Sequence, residues 1–193
     1  GIMFVGAELM AETAKPLAAH PLVGQWLEHM AQTPLLGVIA GLIFTSILQS
    51  STASTGLVIA MGASGVITLP AAIGFIYGAN IGSCIMGFLA SLRSSSPARR
   101  ASIAQITINV IGVLIFLPFI RPYSSFLELT SSNLARQIAN AHTIFNISVS
   151  LILFPFTKQI AAFTALIVRD KPVEGESRVT QFVDDTLRGV PSV

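Results

Sequence analysis

The chain has 193 residues, 52% of them apolar and 10% charged, with a mean hydropathy of +0.75. A soluble domain carries about 25% charged residues, so this composition excludes an ordinary soluble fold and describes a polytopic membrane protein. The formal charge of +2 and the pI near 9.0 rest on only 11 basic residues scattered through loops, which argues against a nucleic-acid surface and leaves the charge to set topology.

Residues 1–14 are apolar, with Glu8 and Glu12 four residues apart on one face, and read as the end of a spanning helix broken by Pro16 and Pro21. Gly1-Ile2-Met3-Phe4 shows neither a basic n-region nor a small-residue cleavage site, so no secretory signal is expected there. Whether the chain is a fragment or a complete half of something larger stays open. Residues 22–32 alternate Leu22, Val23, Trp26, Leu27 and Met30 with Gln25, Glu28, His29 and Gln32, the pattern of an amphipathic helix at the membrane interface, where His20 and His29 also belong.

From His29 to Leu92 there is no Asp, Glu, Lys or Arg, and inside this tract sits one polar patch, Gln49-Ser50-Ser51-Thr52-Ala53-Ser54-Thr55. Hydrocarbon cannot satisfy such groups, so they mark a site surrounded by protein or by a water-filled cavity. The flanking arms, residues 34–48 and 55–67, each reach only about 20 Å at 1.5 Å per residue, short of a hydrocarbon core of about 30 Å. A re-entrant hairpin with residues 49–54 as its turn follows, and a single long helix through the patch is the competing parse.

Residues 69–92 are long enough to span, but Gly74, Gly78, Gly82 and Gly87 punctuate them, and an interruption is expected around Gly78-Ala79-Asn80-Ile81-Gly82-Ser83. Cys84 lies in this run as a small packing residue; as the single cysteine it excludes an intrachain disulfide and a cysteine metal cluster. The loop over residues 93–100 has Arg93, Arg99 and Arg100 and reads as cytoplasmic. An apolar run over 101–120, a polar link over 121–137 and a last run over 138–156 then return Lys158, Arg169 and Lys171 to that side. The two runs share identical residues at an offset of 37, among them Asn109/Asn146, Pro118/Pro155 and Phe119/Phe156, a weak internal repeat. Residues 169–193 form a polar cytosolic tail, and 1–168 the membrane unit.

A hairpin tip presents the N-terminus of its second helix, whose unpaired N–H groups and positive dipole end attract anions. Ser51, Thr52, Ser54 and Thr55 add hydroxyl donors there, while carbonyls, the Gln49 amide oxygen and the same hydroxyls also suit a hard cation such as sodium. Asn80 is a further candidate cation ligand. Against these stand bland readings: Ser and Thr joining helices, Asn80 in tight packing, and Asn109, Asn146 and His142 in interhelical hydrogen bonds. Ser50 or Ser51 with His142 makes a poor nucleophile and base, because no carboxylate in the membrane segments beyond Glu8 and Glu12 orients the histidine; no enzyme is expected.

These motifs resemble the type II sodium/phosphate cotransporters and their bacterial relatives. The family's Gln-Ser-Ser-Ser-Ala stands here as Gln49-Ser50-Ser51-Thr52-Ala53 with a matching Thr45, and its Gly-Ala-Asn-Ile-Gly-Thr-Thr as Gly78-Ala79-Asn80-Ile81-Gly82-Ser83-Cys84. Arg99-Arg100-Ala101, His142-Thr143-Ile144-Phe145-Asn146 and Phe182-Val183-Asp184-Asp185 are similar to further family segments, the last leading toward a PhoU-like cytosolic domain. The resemblance implies an all-α membrane protein with one re-entrant hairpin and three to four spans, one half of an inverted-repeat transporter in the plasma (inner) membrane. It implies that Gln49, Ser50, Ser51, Thr52, Ser54 and Asn80 bind inorganic phosphate and that Thr45, Gln49, Ser51, Thr55, Asn80 and Ser83 bind sodium, the coupling ion, with no other cofactor. Cys84 where the family has threonine removes an oxygen ligand. The expected partners are the bilayer and a second repeat, either elsewhere in a longer chain or on an antiparallel mate, and the expected activity is sodium-coupled phosphate symport. A passive anion channel or exporter, a membrane scaffold and a phosphate sensor are the alternatives.

Overall fold

A computed structural model describes residues 20–169, together with Val5, Gly6, Leu9, Glu12 and Pro16. Apart from those positions, the span expected over residues 1–14 lies outside the described residues, as does the tail from residue 170. Among the described residues every regular element is helical: α1 Pro21–Gln32, α2 Pro34–Leu48, α3 Ser51–Ala63, α4 Leu69–Ser91, α5 Ser96–Phe116, α6 Ile120–Glu128, α7 Leu134–Leu153 and α8 Thr157–Ile167. The 3₁₀ turns Leu117–Phe119 and Phe154–Phe156 join α5 to α6 and α7 to α8. Proline opens α1, α2, α4 and α5 at the first or second position, where its fixed φ fits and its missing N–H removes no helical bond.

Among the described residues three stretches are long and apolar enough to cross a membrane: Leu69–Ser91, Ser96–Glu128 and Leu134–Ile167. The chain is an all-α membrane protein. Of these, α4 is the central post, 61% buried over its most apolar window against 17% for the other two. On α4, Tyr77 stacks on Phe145 of α7 with ring centroids 4.5 Å apart, Phe116 meets Phe145 edge-on at 5.3 Å, and the Tyr123 hydroxyl donates to Ala141 O at 2.8 Å. Aromatic rings thus tie α4, α5, α6 and α7 into one core. Met30 of α1 is buried against that core while Leu22 and Trp26 of the same helix are exposed, so α1 is two-faced as its pattern requires.

The interruption expected in α4 is absent: one helix runs unbroken from Leu69 to Ser91. Its glycines serve another purpose. A Cβ on Gly78 would collide with Val38 O, one on Gly41 with Phe75 O, and one on Gly74 would lie 2.8 Å from Pro34 O. The contacts advance in step along both helices, so α2 and α4 run parallel, and bare backbone lets them close to a distance that any side chain would prevent. The polar side chains of α4 also back-bond within the helix, Asn80 Nδ2 to Ile76 O at 2.9 Å and Ser83 Oγ to Asn80 O at 2.9 Å, which removes any local demand for a break.

The polar link expected over residues 121–137 is shorter than the composition implies, because α6 continues the course of α5 as far as Glu128 after a single 3₁₀ turn. The last run likewise passes through its own 3₁₀ turn and ends at Ile167 rather than at residue 156. Both turns hold the matched prolines Pro118 and Pro155, so the weak repeat is also a structural one: helix, 3₁₀ turn, helix, twice over. At the far end, Arg100 donates to Val168 O through Nε at 3.0 Å and Nη2 at 2.9 Å, and Ser96 Oγ lies 3.5 Å from Arg169 O. The basic loop and the exit of α8 therefore share one end of the bundle.

The hairpin tip as candidate functional site

Gln49 ends α2 in the left-handed region (φ 59°, ψ 19°), the one non-glycine residue among those described with positive φ, and Ser50 follows extended (φ −142°, ψ 105°). These two residues reverse the chain, and the single long helix is excluded. A side-chain-bearing residue in this region carries about 1–2 kcal/mol of strain. The Gln49 N–H holds it there by donating to Thr45 O at 2.8 Å.

Ser50 caps α3. Its hydroxyl accepts from the Ala53 N–H at 3.2 Å, and its carbonyl accepts from both the N–H and the hydroxyl of Ser54, each at 3.0 Å. Across the hairpin, the Thr45 hydroxyl donates to Ser54 Oγ at 2.8 Å. A relay of two hydroxyls thus runs from the end of α2 through α3 to the turn. The N–H groups of Ser51 and Thr52, in the first turn of α3, have no intrahelical acceptor. Gln49 and Thr52 are exposed and Ser51 half-buried, so the outward face of the tip consists of an amide, two hydroxyls and the positive end of a helix dipole.

Thr55, one position further in, is 8% exposed, and its hydroxyl has no hydrogen-bond partner. Buried polar atoms are nearly always paired, so this orphan calls for an explanation beyond packing. Asn80 and Ser83 lie on α4 alongside the hairpin rather than at its tip, and the hydrogen bonds of both side chains are the ones inside α4. Cys84 accepts from Asn109 Nδ2 at 3.3 Å, an interhelical bond, whereas Asn146 Nδ2 donates within its own helix to His142 O at 2.8 Å. The structure thus brings Thr45, Gln49, Ser50, Ser51, Thr52, Ser54 and Thr55 into one turn.

Ser46 was not singled out by its sequence. Its hydroxyl donates to Leu42 O at 2.6 Å and lies 3.5 Å from Gly82 O, the point where the hairpin arm touches the glycine-rich segment of α4. The signal available was its position in the last turn of the arm, between Thr45 and Gln49. Chemically, the site offers neutral donors to an oxyanion and neutral oxygens to a hard cation, with no fixed charge on any residue of the turn.

The Na+/Pi-cotransporter family profile matches residues 2–132. The chain is 28% identical over 128 residues to the uncharacterized protein YqeW of Bacillus subtilis, covering 66% of this chain and 42% of that one. To YjbB of Salmonella typhimurium, named for inorganic phosphate export, it is 27% identical over 128 residues, 66% of this chain and 24% of the relative. To the human sodium-dependent phosphate transport protein 2B it is 33% identical over 135 residues, 65% of this chain and 19% of the relative. The chain thus spans less than half the length of these relatives, and no solved structure matches it. It belongs to the Na+/Pi-cotransporter family.

Proposed function

We propose that this chain supplies one of two inverted repeats of a sodium-coupled phosphate symporter, working by alternating access about a site at membrane depth. The observation that carries the reading is the hairpin tip: two arms too short to span, a strained Gln49 and the open N-terminus of α3 set in an uncharged apolar tract. The names of YjbB and of the human relative, both concerned with phosphate, support the same solute.

In this reading the N–H groups of Ser51 and Thr52 and the Gln49 amide hold phosphate, with Ser50 and Ser54 shaping the turn beneath it. Oxygens of Thr45, Gln49, Ser51 and Thr55 hold sodium at the tip, with Asn80 and Ser83 offering further oxygens from α4 alongside the arm, and the orphan Thr55 hydroxyl is the clearest unpaired donor and acceptor among them. Neutral ligands allow release, since a fixed lysine or arginine would hold the anion through half the cycle. The second repeat comes from another part of a longer chain or from an antiparallel copy. The loop over residues 93–100 and the tail face the cytoplasm across the plasma (inner) membrane. The protein is a transporter and not an enzyme.

The test is labelled phosphate uptake into liposomes containing only this chain, with and without an inward sodium gradient. Sodium-dependent uptake that is lost in Ser51→Ala supports the symporter. Uptake indifferent to sodium removes the coupling, and silence from folded, inserted protein assigns the second repeat to a longer chain. Similarity to YjbB favours export as a second reading, and efflux from phosphate-loaded vesicles distinguishes it.

A further inference from the structure

The hairpin stops short of the basic end of the bundle. Gly74, Gly78 and Gly82 face α2 along one strip of α4, and at about 3.6 residues per turn Met86, Leu89 and Arg93 continue that strip past the tip. The strip keeps its course because Leu92, just beyond α4, is still right-handed helical (φ −57°, ψ −31°). Met86 is 38% and Leu89 50% exposed, whereas the glycines above them are covered by α2. Gly82 lies against Leu42 and Thr45, so the parallel course of α2 sets Gln49 level with residue 86. Arg93 then stands seven residues, about 10 Å, further along. We propose that Arg93 recruits phosphate to the hairpin tip, drawing the anion into the space between them without touching it once it is bound.

Three observations converge on that role. The chain reverses at Gln49 and Ser50, so the open N-terminus of α3 points along the bundle toward Arg93, and the N–H groups of Ser51 and Thr52 that lack a helical acceptor look into the same space. Hydrocarbon leaves such donors unsatisfied, so the space suits water and its solutes. Next, Arg93 is exposed, and no Asp, Glu, Lys or Arg separates it from Glu28, so it is the first charge met along the strip. Among the described residues its charged neighbours at this end, Arg99, Arg100 and Arg169, are also basic. Finally, α4 ends here in open carbonyls, the negative end of its dipole, and Arg93 reverses the sign of the potential that an approaching anion meets. A guanidinium in contact with the anion would retain it, whereas one about 10 Å away raises its local concentration and still lets it go. The identity of the solute rests on the symporter reading; the field of Arg93 below the tip does not.

The test uses the full chain in nanodiscs of phosphatidylcholine, which carry no net charge. Cys84→Ala removes the single native thiol, and Met86→Cys, or Leu89→Cys should the first fail to fold, places one below the tip. Its rates with an anionic and a cationic methanethiosulfonate report the local potential. Both reagents are expected to react, much faster than at Leu114→Cys on the exposed outer face of α5. Arg93→Gln should lower the anion-to-cation rate ratio about fourfold at low ionic strength, the effect of one charge at about 10 Å in water, and the difference should vanish in about 1 M salt. Arg93→Lys should keep the ratio. In phosphate uptake Arg93→Gln should raise KM about threefold with kcat unchanged. A thiol below the tip that reacts no faster than at Leu114→Cys overturns the proposal, because lipid or protein then covers the space. A ratio untouched by Arg93→Gln, as neutralisation by carboxylates of the tail would produce, also overturns it, as does an unchanged KM. Absence of uptake by wild type with the thiol ratios as expected defeats the symporter reading and leaves the field of Arg93 standing.

Discussion

The Thr45 hydroxyl, in the last turn of one hairpin arm, donates at 2.8 Å to the Ser54 hydroxyl in the first turn of the other, and both side chains are fully buried. Ser54→Ala leaves the Thr45 donor buried and unpaired, a loss of about 1–3 kcal/mol. Replacing both partners with apolar groups of similar shape removes the orphan. Thermal unfolding of the double variant Thr45→Val/Ser54→Ala is therefore expected nearer to wild type than that of Ser54→Ala alone; additive losses would show that the two hydroxyls act separately.

Thr55 and Tyr77 each bury a hydroxyl without a partner, and they separate structure from function. Thr55→Val and Tyr77→Phe both relieve an unsatisfied polar group, so each should raise stability by about 1–3 kcal/mol. Only Thr55→Val is expected to abolish sodium-stimulated uptake. A Thr55→Val protein that is more stable and still transports would remove Thr55 from the sodium site.

Gln49 in the left-handed region makes a similar division. Gln49→Gly should stabilise by about 1 kcal/mol, because glycine adopts that conformation without strain. Gln49→Ala keeps the strain and leaves stability near wild type. Phosphate uptake should collapse in both, and normal uptake in either would take the side chain out of the site.

Along α4 the glycines differ in what they tolerate. Gly78→Ala drives a methyl group into Val38 O and should cost about 1–3 kcal/mol or more, with the hairpin displaced. At Gly87 nothing lies within 4 Å, so Gly87→Ala should gain about 0.5–1 kcal/mol from helix propensity. Circular dichroism melts of the two variants in one detergent check the contrast; equal effects would refute the close approach of α2 and α4.

The hairpin was legible because arm length against membrane thickness is arithmetic and the polar residues fell at the only place a turn was affordable. The break expected in α4 was not, for a reason specific to glycine: its codes for bending and for close approach are the same residue. Only the partner, here Gly37 and Gly41 on α2, decides which applies. Asn80 adds to the same point, since its amide N–H finds Ile76 O four residues back and so places no demand on the helix to open. The two later runs were expected to stop at residues 120 and 156, where the apolar composition gives way, whereas the chain passes through a 3₁₀ turn and stays helical to Glu128 and Ile167. At the tip the residue types were readable, but the capping role of Ser50 and the orphan state of Thr55 depend on hydrogen bonds that no spacing reveals.

The seam between α2 and α4 also works as a recognition mark. Glycine recurs every fourth residue on the arm before the polar turn, at Gly37 and Gly41, and again on the later helix at Gly74, Gly78 and Gly82. Two parallel helices that meet backbone to backbone need that double rhythm in a fixed order: small residues, polar reversal, small residues again. A diverged chain that keeps the rhythm can be searched for by it even after the serines and threonines of the turn have been replaced.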